Sequence, residues 1–212
     1  MSTVAVLGTG IVGITLATGF ARAGHTVLVG SGHPDRPQEA LASAGVRVAA
    51  HADAAGAADV VFNATPGEVA AQFLAGLAPA LRGRVLADVS NAAVRGPDGF
   101  PTGPLDPNTS VAEEIQRALP DTRVVKTLNT MDQRVMTDPS VLPTPPTAFL
   151  AGDDPTAKAA VTALLHDVGW HADWLLDLGP LTAARALEAS YVMLGPIIRR
   201  HGMAPFSLAI AH

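Results

Sequence analysis

The residues of this chain whose types and spacing most directly allow chemistry are Gly8-Thr9-Gly10-Ile11-Val12-Gly13. They follow a short apolar run, Thr3 to Leu7, and open a segment from Ile11 to Ala23 with apolar residues at helical spacing. In that setting each glycine has a physical task at a dinucleotide's pyrophosphate. Gly8 permits a tight turn, Gly10 lets the backbone approach the phosphates, and Gly13 allows close helix–strand packing. The amides at the helix N-terminus then face the negative charge. The competing reading is a glycine-rich turn without a ligand, and the strand before and helix after argue against it.

A second strand, Thr26 to Val29, ends in Gly30-Ser31-Gly32-His33, with Arg36 close behind. Sites for NAD usually carry Asp or Glu at this point, to accept hydrogen bonds from the adenosine ribose. A carboxylate would repel a ribose 2′-phosphate, whereas Ser31, His33 and Arg36 can donate to one, so the pattern predicts NADP(H). Asp35 works against that reading, and Arg36 as a solvated turn residue is its bland alternative. Three further apolar runs end in polar residues: Asn63-Ala64-Thr65-Pro66, Asp88-Val89-Ser90-Asn91 and Lys126-Thr127-Leu128-Asn129-Thr130-Met131. In open α/β sheets ligands bind outside the carboxyl ends of strands, which makes these residues candidate cofactor contacts. Turn-shaping or capping by Asp88, Ser90 and Asn91 remains open, as does a Lys126 that snorkels to the surface.

The acid–base inventory is sparse. Tyr191 is the only tyrosine and Gly195 stands four positions on, so a Tyr-x-x-x-Lys catalytic pair is missing. There are no cysteines, and His166 and His171 are spaced wrongly for one helix face, so no metal site is expected. Asp153-Asp154 precedes Pro155 and reads as a helix cap rather than paired catalytic carboxylates; Asp132 reads as a turn residue, with a substrate contact as its alternative. Such a site suits an acceptor that is itself a cofactor with a good hydride-accepting carbon, where the protein need only align two rings. No catalytic side chain is assigned.

The elements that must position these residues alternate. Strands are expected at Thr3–Leu7, Thr26–Val29, Asp59–Ala64, Arg84–Val89, Arg123–Leu128 and Thr147–Ala151, with helices at 11–23, 37–44, 67–78, 110–118 and 155–168. This predicts an α/β Rossmann-type fold, a doubly wound, mostly parallel sheet of seven or eight strands with a small C-terminal helical appendage. The appendage comprises a strand in Ala172–Leu178, one long helix from Leu181 to Arg200 and a short strand at Phe206–Ile210. Residues 96–107 read as a long surface loop of unassigned role. At 212 residues the expected unit is one NADP-binding domain, about 1–150 forming the dinucleotide-binding core and about 151–212 its extension. The formal charge of −5 recommends neither nucleic acid nor an anionic membrane. No apolar run reaches the length of a membrane span, and a cytoplasmic protein is expected.

The whole set resembles the NADP oxidoreductases that depend on the deazaflavin coenzyme F420. The likeness rests on Gly8 to Gly13, Val29-Gly30-Ser31, Asn63 to Pro66, Asp88 to Asn91 and Val125 to Thr130. It implies NADP bound across the strand ends, a deazaflavin beside the nicotinamide, direct hydride transfer between the rings, and a homodimer. Carried over by position, Thr9 and Ser31 bind nucleotide phosphates, Pro66 and Asn91 lie near the nicotinamide, and Asn129–Met131 line the acceptor pocket. The family often has Ser-Arg where this chain has Ser31-Gly32, so His33 or Arg36 has to compensate. Two other readings use the same scaffold: an NADPH-dependent reductase of a small imine or ketone, and a non-catalytic NADP-binding sensor.

Overall fold

A computed structural model describes residues 1–36 and 38–211. In chain order the elements are β1 (Thr3–Leu7), α1 (Ile11–Arg22), β2 (Thr26–Ser31), α2 (Glu39–Ser43), β3 (Arg47–Ala50), α3 (His51–Ala57) and β4 (Val60–Asn63). There follow α4 (Gly67–Ala75), α5 (Ala78–Leu81), β5 (Val85–Asp88), β6 (Ala93–Arg95), β7 (Pro101–Pro104), α6 (Val111–Ala118) and β8 (Arg123–Thr127). The last are α7 (Gln133–Met136), β9 (Ala148–Ala151), α8 (Pro155–Asp167), β10 (Leu175–Asp177), α9 (Ala184–Ala189) and α10 (Leu194–His201).

Eight strands form one sheet in the order β10-β9-β8-β5-β4-β1-β2-β3. All neighbours run parallel except β8 and β9. This is the expected Rossmann-type α/β architecture. The strands are apolar on both faces because both are covered. Val4 and Val6 enter one core layer with Leu16 and Phe20 of α1, while Ala5 and Leu7 enter the other with Leu74 of α4 and Ile115 of α6. In α1 the buried residues Gly13, Leu16, Ala17 and Phe20 recur at helical spacing. Strand order reverses between β1 and β4, which opens a crevice at their carboxyl ends.

Several expectations need correction. The edge strand β3 and the helix α3 were not anticipated; their Ala-rich sequence has neither strand nor helix period to announce it. Residue 37, at the start of the helix expected over 37–44, lies outside the described residues, and α2 covers Glu39–Ser43. The stretch read as a loop over 96–107 holds β7, which pairs antiparallel with β6 in a small hairpin. The long helix expected from Leu181 to Arg200 is broken: 3-10 turns at Leu181–Ala183 and Ser190–Met193 flank α9 and precede α10. Pro196 supplies a physical reason for the second of these breaks, since it has no N–H to give and its ring crowds the Val192 carbonyl a turn earlier. The strand expected at Phe206–Ile210 is only an isolated bridge, Ser207 against Met131.

Candidate active site

The turn after β1 is built by close backbone contact. Gly8 has φ +125°, and a Cβ there would stand 2.6 Å from the Ala64 carbonyl oxygen across the β1/β4 crevice. A Cβ on Gly13 would collide with the Gly8 carbonyl, which is how α1 approaches the turn so tightly. Gly10 is different: a Cβ would meet nothing within 4 Å, and as N-cap it contributes no side chain to the helix start. Gly8 to Val12, the turn and the first residues of α1, line an open cavity, and the free amides of a helix start are donors that suit a pyrophosphate.

At the end of β4, Asn63 is fully buried and holds the next loop in shape. Its Oδ1 accepts from the Thr65 hydroxyl at 2.7 Å and the Thr65 amide at 3.3 Å, while Nδ2 donates to Asp88 Oδ1 at 2.7 Å. Asp88 in turn accepts from the Ser90 hydroxyl at 2.8 Å. Turn-shaping is thus what Asp88 and Ser90 do. Asn91 instead bonds across to the loop after β8: its Nδ2 donates to the Asn129 carbonyl, and Asn129 Nδ2 donates to Asn91 Oδ1, both at 2.9 Å.

Lys126 does not snorkel. It is wholly buried, with Nζ 2.7 Å from Asp88 Oδ2 and 2.7 Å from Glu188 Oε1, and it also donates to the Ser90 carbonyl. Burial alone would depress its pKa, but the Asp88 and Glu188 carboxylates hold it above the ordinary lysine value. Burial, with repulsion from Asp88, pushes Glu188 above the usual carboxylate range. Glu188 also accepts from the amides of Val111 and Ala112 at the start of α6, tying α9 to that helix as well as to β8. Lys126 was visible as a charge inside an apolar run that needed a partner; Glu188, far along the chain, carried no local signal.

Leu128, between β8 and Asn129, has φ +58°, the left-handed region that disfavours a branched side chain by about 1–3 kcal/mol. This turn presents Asn129, Thr130 and Met131 to a cavity of about 710 Å³. One wall is Gly8 to Val12 with Ala64, Thr65, Pro66 and Asn91. The other comes from the C-terminal region, including Tyr191, Leu194, Ile197, Ile198 and Met203. That wall is anchored by long-range bonds: Asp132 N to the Phe206 carbonyl at 2.9 Å, Leu208 N to the Thr130 carbonyl at 3.2 Å, and Arg134 Nη2 to the Met203 carbonyl at 2.8 Å. Asn129 Oδ1 and Thr130 Oγ1 are buried without partners among the described residues, which native interiors rarely tolerate unless a ligand or water completes them.

The cavity's two acids are engaged. Glu68 lies 3.6 Å from Arg95, and Asp132 pairs with Arg134 at 2.7 Å while capping α7. Asp154 caps α8 as expected, and Asp153 accepts from the Leu181 amide at 2.9 Å. His166 bonds the Trp170 carbonyl; among the described residues no three His, Cys, Asp or Glu side chains are grouped to hold a metal. Ser31, His33 and Arg36 lie outside this cavity, at the far end of β2. There the Ser31 hydroxyl accepts from the His33 amide at 3.0 Å, and the side chains of His33 and Arg36 are exposed.

A family model described as "NADP oxidoreductase coenzyme F420-dependent" matches residues 3–92. A solved structure from Arthrobacter sp. FB24, assigned as an F420-dependent NADP reductase, is 36% identical and superposes with TM-score 0.90, covering 100% of both chains. This chain belongs to that family. It is an NADP-dependent oxidoreductase. Rat metalloreductase STEAP3 is 29% identical over 193 residues, 91% of this chain, which spans only 37% of that protein. An imine reductase from Myxococcus stipitatus shares the fold at TM-score 0.63 and 19% identity, over 94% of this chain and 63% of that one. No helix among the described residues is long and apolar enough to cross a membrane.

Proposed function

We propose that this oxidoreductase passes a hydride reversibly between NADP(H) and the deazaflavin coenzyme F420. The observation that carries the reading is the cavity at the strand-order reversal. It joins the glycine turn to a largely apolar wall, leaves Asn129 Oδ1 and Thr130 Oγ1 unpartnered, and has both its acids held by arginines. A volume of about 710 Å³ has room for more than a nicotinamide ring. The resident chemistry is that of the two coenzymes: the nicotinamide gives or takes the hydride and the deazaflavin is its counterpart.

The chain's own part is binding, alignment and exclusion of water. Gly8, Thr9, Gly10, Ile11, Val12 and Gly13 hold the pyrophosphate, and Ser31, His33 and Arg36 meet the 2′-phosphate. Ala64, Thr65, Pro66 and Asn91 border the nicotinamide; Asn129, Thr130 and Met131 border the acceptor. The Asn91–Asn129 pair fixes the two sides relative to each other, and fixed distance is where rate comes from when no side chain exchanges a proton. Ile11 and Met203, 73% and 72% exposed at the cavity rim, offer apolar surface that a second copy would cover, in keeping with a homodimer. Residues 1–150 act as the dinucleotide-binding core and the remainder as its extension, one functional unit.

The test is anaerobic mixing of purified protein with NADPH and oxidised F420, followed by deazaflavin absorbance. Bleaching that needs the protein and is faster with NADPH than NADH is expected. NADPH binding without bleaching contradicts the acceptor and leaves the small-molecule reductase as the better reading.

A further inference from the structure

The adenosine end of the site contains a side chain that neither the glycine turn nor the β2 loop explains. His51 opens α3 directly after β3, whose Ala50 is in register with Ser31 of β2. Its imidazole lies against the two glycines that flank Ser31. A Cβ on Gly30 would stand 2.9 Å from His51 Nδ1, and one on Gly32 would stand 4.0 Å from His51 Nε2. Phe73 of α4 closes another side edge-on, with ring centroids 4.8 Å apart and planes at 79°. Nδ1 is buried and has no hydrogen-bond partner among the described residues.

We propose that His51 is a specificity-determining residue for NADP(H), its Nε2–H donating to the ribose 2′-phosphate beside Ser31. This rests on the cofactor reading given above. The neutral ring carries one N–H, and Nδ1 is enclosed with no partner among the described residues, so a phosphate at the Nε2 edge selects the tautomer with its hydrogen on Nε2. That edge faces Gly32, where the lack of a side chain leaves the approach to the ring open. Burial holds the imidazole below its ordinary pKa, which favours the neutral ring in the free protein. Ser31 Oγ already accepts from the His33 amide, so its own hydrogen is free to donate to the same phosphate. Two donors, Ser31 at the end of β2 and His51 at the start of α3, then converge on a group that NADH lacks. A bond to a charged acceptor of this kind is the sort that discriminates, because its absence leaves nothing for His51 to contact.

Isothermal titration of the full chain with NADPH and with NADH tests this, using wild type, His51→Phe and His51→Gln. Phenylalanine keeps the ring and its contact with Phe73 but removes both nitrogens; the glutamine amide restores a donor at the reach of Nε2. His51→Phe is expected to weaken NADPH about tenfold and leave NADH within about twofold, and His51→Gln to retain most of the NADPH preference. An unchanged NADPH-to-NADH ratio in His51→Phe, or equal weakening of both, overturns the assignment. Wild-type protein that binds NADPH no better than NADH would instead overturn the cofactor reading on which it rests.

Discussion

The two walls of the cavity are made in opposite ways. The wall of the glycine turn, β1 to β4, is built by close backbone approach, between Gly8 and Gly13 within the turn and between Gly8 and Ala64 across the crevice. The opposing wall, from Asn129 onward, is held by contacts over long separations: Lys126 to Glu188, Arg185 to Glu113 at 2.6 Å, and the terminal segment to the loop after β8. The family match over residues 3–92 covers the first wall and stops short of the second. On the proposed function, the cofactor side falls within the matched segment and the acceptor side rests on tertiary anchors beyond it.

The sharpest way to break that division is at the anchor. Lys126→Met strands two carboxylates in the interior and should cost about 3–5 kcal/mol of stability, read by denaturant unfolding. Adding Glu188→Gln to it should recover part of the loss, because it removes one of the uncompensated charges. If Lys126→Met unfolds at the wild-type denaturant midpoint, the long-range anchoring is mistaken.

On the nucleotide wall the glycines separate stability from binding. Gly13→Ala forces a methyl into the Gly8 carbonyl and should destabilise by about 1–3 kcal/mol while weakening NADPH binding. Gly10→Ala meets no protein atom, so its melting temperature should stay near wild type while NADPH affinity falls about tenfold or more. Equal losses of stability in the two variants would remove Gly10 from the phosphate cradle. A smaller effect is expected where the walls meet. Asn129→Ala should lower turnover about tenfold and leave the affinity for 2′,5′-ADP unchanged, since that fragment never reaches the Asn91–Asn129 pair. Loss of fragment binding would show that the pair supports the whole site rather than the ring alignment.

The smallest expected effect concerns pH. His51 is held below its ordinary pKa of about 6.5, so the unfolded chain takes up its proton first as the solution is acidified. Its contribution to stability is complete above about pH 6.5 and is lost as pH falls through the lowered folded value. His51→Gln should therefore flatten the decline in melting temperature on the acid side. An identical decline would mean that His51 is not desolvated.

Legibility in the sequence followed the same division. Gly8 to Gly13 and the apolar runs of β1, β2, β4, β5 and β8 announced the fold, because parallel strands buried on both faces are continuously apolar. Asn63, Asn91 and Asn129 could be named because they stand where such runs end. What stayed hidden was tertiary in origin. Nothing local marks Glu188 as the partner of Lys126, nor His51 as a neighbour of Gly32, because β3 and α3 are Ala-rich and short. The long final helix is interrupted for a local reason present in the sequence: Pro196 fits the first turn of a helix but not its interior, so α10 has to start just before it.

The central claim is that two bound rings exchange hydride directly, with the protein supplying alignment and no proton-transferring side chain. Single-turnover reaction of NADPH deuterated at nicotinamide C4 with oxidised F420 tests it most directly. The account predicts deuterium on the reduced deazaflavin carbon from one of the two C4 faces, with none released to water. Deuterium found in solvent, or no reduction of F420 by protein that holds NADPH, would contradict it.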